Sequence, residues 1–149
     1  MSDPIVKILD LACTPAHAFD VFVHQMTRWW PLDSHSIAAD RAEAQPRVAV
    51  EPRVGGRVLE TRADGSTSSW GEVLAFAPPG LFAMSWHPGT DPARPTQVEV
   101  RFEARGEGGT RVTLTHSGWE IWAADAPEKR GNYVGGWDFV FGQCFRAAA

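Results

Sequence analysis

Two histidines and one cysteine near the N-terminus are the residues whose types and spacing could support catalysis or metal binding. His17 and His24 lie in a segment with helical periodicity and could share one face. Two histidines without a third ligand make a weak metal site, so no metal ion is expected. Cys13 precedes the same segment, and a helix N-terminus lowers the pKa of a thiol. A Cys13–His17 nucleophile pair therefore stays open as an alternative.

Motifs of the major catalytic classes are missing from the chain. It contains no Walker A loop, no GxGxxG, no HExxH, no CxxC and no GxSxG. These absences argue against several well-defined enzyme classes. We expect no bound cofactor, and the sequence identifies no catalytic residue.

Aromatic residues are the most informative feature of the composition. The chain has seven Trp, eight Phe and one Tyr, and each can bury roughly 150–250 Å². Such a set either fills an ordinary core or lines a pocket for an apolar ligand. Both interpretations remain open at this point.

Length and charge limit the remaining possibilities. The 149 residues are 44% hydrophobic and 21% charged, which predicts one domain over residues 1–149. The net charge is -4 and the longest basic cluster is Lys129-Arg130, so nucleic-acid binding is not expected. No apolar run reaches the ~20 residues of a membrane span, and no signal peptide is recognisable. We expect a cytoplasmic protein without a membrane partner, as a monomer or a homodimer, with Cys13 and Cys144 as reduced, buried thiols.

Hydrophobic periodicity predicts an α+β fold. Residues 5–11 form a strand, Thr14-Pro15 begins a helical segment that ends before Pro31, and residues 32–46 form a loop. Six strands follow, over residues 47–51, 56–62, 67–76, 81–87, 96–104 and 110–117. Their short connections require antiparallel neighbours. A long aromatic helix begins at residue 125, and we expect its glycines to lie where it approaches the sheet closely.

Turn lengths predict which residues of neighbouring strands face each other. A five-residue loop at 105–109 pairs Phe102 with Val112, Val100 with Leu114 and Val98 with His116, so His116 points inward. A turn at Asp64-Gly65 pairs Leu59 with Trp70 and Arg57 with Glu72. Glu72 then joins the inward row of Trp70, Leu74 and Phe76. The alternative for Arg57 and Glu72 is an ion pair at the rim of the sheet.

Several strings occur in an order that points to a known family. They are PRVGGR at 52–57, WGEVL at 70–74, MSW at 84–86, GTRVTLTHSGW at 109–119 and YVGGW at 133–137, with WWP at 29–31. With these strings the chain resembles the START-like (SRPBCC, helix-grip) superfamily, in the branch named for the activator of heat-shock-protein ATPase homologues. The resemblance implies a curved antiparallel sheet of about seven strands wrapped around a long C-terminal helix, with two short helices after the first strand. It also implies an apolar cavity between sheet and helix, and it transfers no catalytic residue because functions in this branch vary widely.

Binding of a hydrophobic or aromatic small molecule in that cavity is the function we expect. One alternative is a small-molecule lyase, cyclase or hydrolase that uses Glu72 or His116 in the same cavity as general acid or base. The other is a co-chaperone-like interaction domain. The expected ligand-binding residues are Trp30, Arg57, Trp70, Glu72, Met84, Trp86, Val100, Phe102, Leu114, His116, Trp119, Trp137 and Phe141.

Overall fold

A computed structural model describes residues 3–149 as one sheet with helices packed on one face. The strands are β1 (Ile5–Leu11), β2 (Arg47–Val50), β3 (Arg57–Thr61), β4 (Thr67–Ala77), β5 (Leu81–Trp86), β6 (Thr96–Arg105) and β7 (Gly109–Ser117). All neighbours are antiparallel, in the order β1-β7-β6-β5-β4-β3-β2. The predicted α+β helix-grip fold with seven strands is therefore confirmed.

Short helices follow the first strand, as predicted. Helix α1 (Pro15–Phe19) begins at Thr14, whose hydroxyl accepts the N–H of His17 at 3.2 Å. A π-helical turn, Asp20–His24, separates α1 from α2 (Met26–Trp29), which ends before Pro31. The segment predicted as a loop contains one helical turn, α3 (Ile37–Asp40). These pieces bury Phe19, Phe22 and Trp29 against the sheet.

The C-terminal helix crosses the same face of the sheet. A 3₁₀ segment, Trp119–Asp125, leads into α4 (Ala126–Phe139), which continues through a π-helical turn, Val140–Phe145, into α5 (Arg146–Ala148). Trp137, Phe141 and Phe145 are buried. The expectation that the helix glycines mark close approach to the sheet is wrong. Apart from the adjacent residues and the helix's own backbone, no atom lies within 4 Å of the place where a Cβ would sit on Gly131, Gly135, Gly136 or Gly142.

The predicted register is confirmed for β6 and β7. Phe102 pairs with Val112, Val100 with Leu114 and Val98 with His116. His116 is fully buried, so its predicted inward orientation is also confirmed.

The predicted inward orientation of Glu72 is wrong, although Arg57 does pair with Glu72. Leu59 pairs with Ser69 rather than with Trp70, because an irregularity shifts the register. Trp70 and Gly71 are both buried, and Glu72 is consequently exposed on the outer face. A β-bulge changes the alternation of the side chains, which moves the residues that directly follow it to the opposite face.

A second irregularity in β4 restores the original phase. The register shifts again between Val73 and Ala75, so Phe76 pairs with Phe82 while Leu74 is 40% exposed. Of the predicted inward row, Trp70 is buried, Phe76 is half-buried against the core, and Leu74 and Glu72 lie outside it. Arg57 is also exposed, and among residues 3–149 no ion pair joins it to Glu72.

A continuous apolar core fills most of the space between sheet and helices. Its aromatic rings pack edge to face or tilted, as Phe22 does against Phe102 and Phe145. Several residues expected in a cavity wall lie in this core: Met84, Val100, Phe102, Leu114 and Phe141. In the part of the chain that the structure describes, no helix has the length and apolarity that crossing a membrane requires.

Both cysteines are free and half-buried rather than fully buried. Burial raises the pKa of the Cys13 thiol and of the Cys144 thiol. A raised pKa leaves less thiolate, so the structure does not favour Cys13 as a nucleophile.

Candidate functional site

Two adjoining cavities lie where the α3 segment meets the C-terminal helix. The first has a volume of about 200 Å³ and lies between α3 and the strand ends that carry Trp70 and Trp86. The second, of about 100 Å³, continues beneath the C-terminal helix at Gly136 and Trp137. Trp30, His35, Trp86 and Tyr133 line both. We call the two cavities together the indole cleft.

Four tryptophans form the apolar walls of the indole cleft. Their rings pack in a cluster in which Trp30 lies 5.1 Å from Trp70, 5.9 Å from Trp86 and 5.9 Å from Trp137, measured between centroids. The sequence segments that supply them are far apart, namely the end of α2, strands β4 and β5, and α4.

Each of these indole N–H groups is used inside the protein. Trp30 donates to the carbonyl of His35 at 2.7 Å, and Trp86 donates to Tyr133 Oη at 3.1 Å. Trp70 donates to a carboxylate and Trp137 to an imidazole, both described below. The tryptophans therefore offer a ligand only their ring faces and edges, which favour flat apolar surfaces.

Glu60 is a buried carboxylate that holds one wall of the cleft in place. Oε1 accepts the backbone N–H of Ile37 at 2.8 Å and Trp70 Nε1 at 2.9 Å, while Oε2 accepts the N–H of Ala38 at 2.8 Å. The side chain is fully buried. Three donors replace its lost hydration, so α3 and Trp70 are tied to one anchor on β3.

His116 lies behind the cleft, where aromatic rings surround it. Its ring centroid is 4.2 Å from that of Trp119 and 5.0 Å from that of Tyr133. Nδ1 accepts Trp137 Nε1 at 3.0 Å, and Nε2 lies 2.7 Å from Thr96 Oγ1. Because an indole N–H can only donate, Nδ1 carries no proton, and Nε2–H donates to the threonine.

Burial lowers the pKa of His116 to about 3, since the charged imidazolium would lose its hydration. Both ring nitrogens already have partners. The residue therefore positions Trp137 and has no free nitrogen for proton transfer to a ligand.

The polar groups of the cleft lie at its rim and on the C-terminal helix. Ser34 and His35, which precede α3, and Asp40, at its end, are exposed, and Asn132 and Tyr133 line the cleft from α4. His35 Nδ1 lies 2.7 Å from Ser34 Oγ, and the His35 ring centroid is 5.3 Å from that of Phe139. Burial raises the pKa of Tyr133, which keeps its hydroxyl protonated. The cleft thus combines apolar walls with a few polar groups, as small-molecule sites do.

The predicted ligand-binding residues separate into groups. Trp30, Trp70, Trp86 and Trp137 line the indole cleft. The core residues Met84, Val100, Phe102, Leu114 and Phe141 contribute to neither cavity, and His116 lies one layer behind the cleft. Trp119 stacks on His116 and lines a separate hollow of about 20 Å³.

Arg57 and Glu72 lie in a different depression on the outer face of the sheet. It has a volume of about 460 Å³ and is also lined by Ser69, Gly71, Ser85, His87 and Pro92. Its polar walls and shallow shape differ from the indole cleft, and the sheet separates the two.

Sequence reasoning missed the polar residues of the cleft. Ser34, His35 and Asp40 belong to a segment without periodicity, so no pattern identifies them. Tyr133 precedes Trp137 by one helical turn, and this spacing does predict that the two share a face. Glu60 lies two residues after Val58 in β3, so strand alternation places both side chains on the inner face. A buried carboxylate is nevertheless unexpected when the sequence shows no hydrogen-bond partners for it.

Comparisons with known proteins relate the chain to one family and to several solved structures. The model of the family described as activator of Hsp90 ATPase homolog 1-like protein matches residues 12–143. No curated protein matches the chain significantly in sequence.

Solved structures match the fold over nearly the whole chain. The anthrahydroquino-γ-pyrone synthase Txn09, solved as a complex with SUM, is 29% identical, with a TM-score of 0.65 over 99% of this chain and 97% of its own. The self-sacrificing resistance protein CalC from Micromonospora echinospora is 20% identical, with a TM-score of 0.69 over 98% and 93%. Protein MLL2253 from Mesorhizobium loti is 19% identical, with a TM-score of 0.67 over 95% and 93%. At these identities the last two show the fold alone.

Proposed function

The chain belongs to the activator of Hsp90 ATPase homolog 1-like family, and we propose that it binds a flat aromatic small molecule in the indole cleft. The observation that carries the proposal is the set of four indoles whose N–H groups all have partners within the protein. Such walls attract an apolar ring system by burial and stacking, and they add no polar requirement of their own.

The size of the cleft limits the ligand. Small-molecule pockets usually measure about 300–1,000 Å³, whereas the two cavities here have volumes of about 200 and 100 Å³. This space favours a compound of about two or three fused rings over a long lipid. Polar groups on one edge of the ligand would meet Asp40, His35 and Asn132 at the rim.

One structural neighbour supports this ligand class. The protein of 29% identity is named as an anthrahydroquino-γ-pyrone synthase, which denotes a fused-ring compound with oxygen substituents. Its name supports a related, oxygenated ring system as the ligand of this chain.

Titration with 1,2-dihydroxyanthraquinone tests the proposal. This probe is flat and carries two hydroxyl groups on one edge, and its binding should quench tryptophan fluorescence and release heat in calorimetry. A saturable one-to-one curve is expected. Absence of saturable binding by both methods would overturn the proposal.

Two neighbouring glycines offer a matched pair of variants that locate the binding site. Gly136→Leu adds a side chain at the wall of the second cavity, where nothing lies within 4 Å of a Cβ added to Gly136. Gly135→Leu makes the same change at an exposed position that lines neither cavity. We expect Gly136→Leu to weaken binding roughly tenfold or more, about 1.4 kcal/mol, and Gly135→Leu to leave it unchanged. Equal affinity in the two variants would show that the probe binds elsewhere.

A further inference from the structure

Two polar groups in the indole cleft retain unused hydrogen-bonding capacity. His35 and Tyr133 both line the two cavities. His35 bonds through Nδ1 to Ser34, and within residues 3–149 no hydrogen bond involves its Nε2. Tyr133 Oη accepts the N–H of Trp86, and the described residues contain no acceptor for its own proton. A side chain with a nitrogen that can take a proton and a side chain with a hydroxyl that can donate a hydrogen bond therefore line the same space.

We propose that the indole cleft catalyses the enolisation of a flat aryl ketone, with His35 Nε2 as general base and the Tyr133 hydroxyl as donor to the enolate oxygen. The inference rests on the proposed function, because the ketone must occupy the cleft. It adds an activity to what would otherwise be a binding site.

The surroundings of His35 favour the neutral tautomer in which Nε2 carries the lone pair. Ser34 Oγ lies 3.4 Å from the carbonyl oxygen of Pro31 and can donate its proton there. Its oxygen then accepts Nδ1–H of His35, and the lone pair of the ring is left on Nε2. Because His35 is exposed at the cleft rim, the proton that it takes up can exchange with solvent.

Tyr133 is suited to stabilise the oxygen that becomes negative. Burial raises the pKa of Tyr133, the hydrogen bond from Trp86 opposes this rise, and the nearby Asp40 carboxylate adds to it; the net shift is upward, so the hydroxyl keeps its proton. The N–H of Trp86 donates to the same oxygen, which polarises the O–H and makes it a stronger donor. A fixed donor aimed at a developing oxyanion is the arrangement that lowers the barrier of enolisation.

The proton-transfer step balances without a co-reactant. Nε2 of neutral His35 removes a proton from the carbon next to the carbonyl, and the C–H electron pair becomes the C=C bond of the enolate. The carbonyl π pair moves onto oxygen, which accepts the hydrogen bond from Tyr133. His35, now an imidazolium, exchanges its proton with water and returns one to the carbon. No oxidant, reductant or leaving group takes part.

The residues that the sequence offered for this role do not fit it. Both nitrogens of His116 are bonded to Trp137 and Thr96. Glu72 lies on the outer face of the sheet, away from the cleft. Among the described residues that line the cleft, the titratable ones are His35, Asp40 and Tyr133.

Hydrogen–deuterium exchange of 1-tetralone, an aryl ketone with hydrogens on the carbon next to its carbonyl, in deuterated buffer and followed by proton NMR, tests the inference. General acid–base catalysis should accelerate exchange about 10²–10⁴-fold over the same buffer without protein. His35→Gln should remove most of this acceleration, and Tyr133→Phe, which deletes only the hydroxyl, should reduce it strongly. The wild-type rate should rise with pD to a plateau. The exchange rate with His35→Gln should instead rise in proportion to the deuteroxide concentration, without a plateau. A purely structural role of His35 would not produce this change in the pD profile.

Controls separate this activity from binding and from folding. His24→Gln makes the same substitution at an exposed histidine outside the cleft and should leave the rate unchanged. Added 1,2-dihydroxyanthraquinone should inhibit exchange competitively. A wild-type rate no faster than buffer, or an unchanged rate in His35→Gln, overturns the inference even if the anthraquinone binds. An unchanged rate in Tyr133→Phe overturns the assigned role of Tyr133. If the wild-type protein does not bind 1,2-dihydroxyanthraquinone, the proposed function itself is wrong.

Discussion

Trp137 donates its indole N–H to Nδ1 of the fully buried His116 at 3.0 Å, which joins the C-terminal helix to the last strand through one polar contact inside an aromatic core. The contact selects the neutral tautomer of His116 and orients Trp137 as a wall of the indole cleft. A stability element and a binding surface thus share one side chain.

Two replacements of Trp137 should separate the contribution of its ring packing to stability from that of its hydrogen bond to His116. Trp137→Ala removes a ring that is 2% exposed and should cost about 3–5 kcal/mol, since both burial and packing are lost. Trp137→Phe retains most of the packing but leaves Nδ1 of His116 without its donor, at a cost of about 1–3 kcal/mol. Denaturant unfolding measures both values. If Trp137→Ala lost less than about 1.5 kcal/mol, the ring would not be a core element.

His116 should make the protein less stable as the pH falls through the mildly acidic range. Its pKa is lowered by burial from the usual 6.5 to about 3. Between about pH 6.5 and pH 3 this imidazole therefore carries a proton in the unfolded chain but not in the folded protein. Lowering the pH through this range consequently favours unfolding. The free energy of unfolding should fall by up to about 1.4 kcal/mol per pH unit.

Comparison with His116→Phe isolates this contribution. Between about pH 6 and 4.5 the wild type should lose stability and the variant should show a shallower slope, because the variant lacks the buried imidazole. Asp10, whose pKa its two arginine partners lower to about 2, contributes at more acidic pH. Identical slopes for wild type and variant would mean that His116 is protonated in the folded protein.

Glu60→Gln should loosen the wall of the cleft that the carboxylate holds. One amide oxygen can replace one carboxylate oxygen, but the NH₂ group then faces an N–H donor from Ile37, Ala38 or Trp70. We expect a loss of about 1–3 kcal/mol in stability and weaker anthraquinone binding. The same substitution at exposed Glu72 should change stability by less than about 0.5 kcal/mol. Equal effects of the two variants in denaturant unfolding would contradict an anchoring role for Glu60.

The sequence predicted the sheet best where alternation is uninterrupted. In β6 and β7 the apolar residues alternate regularly and the turn length sets the partner, so His116 could be placed without a structure. In β4 the same reasoning failed at Gly71, since a bulge changes the face of the residues that directly follow it, and only a glycine marks its place in the sequence.

The site was less predictable than the fold. The four indoles could be expected from aromatic content, together with the periodicity of the two helices and two strands that carry them. His35 and Asp40, in contrast, lie on a turn segment that is held in place by Glu60 from a distant strand. Such long-range hydrogen bonds produce no periodic pattern, so single-sequence reasoning has no means of finding the polar rim of the cleft.

Gly71 and Gly135 should respond in opposite ways to the same substitution. A Cβ at Gly71 would lie 1.7 Å from the carbonyl oxygen of Ser85, so Gly71→Ala must move β4 away from β5. We expect it to cost about 1–3 kcal/mol or more and to disturb the neighbouring Trp70 wall of the cleft. Gly135 is exposed within α4 and has open space around it, so Gly135→Ala should stabilise the helix by about 1 kcal/mol. Thermal unfolding should therefore shift down for the first variant and up for the second. A stable Gly71→Ala protein would show that β4 runs without the bulge, and Glu72 would then face the interior.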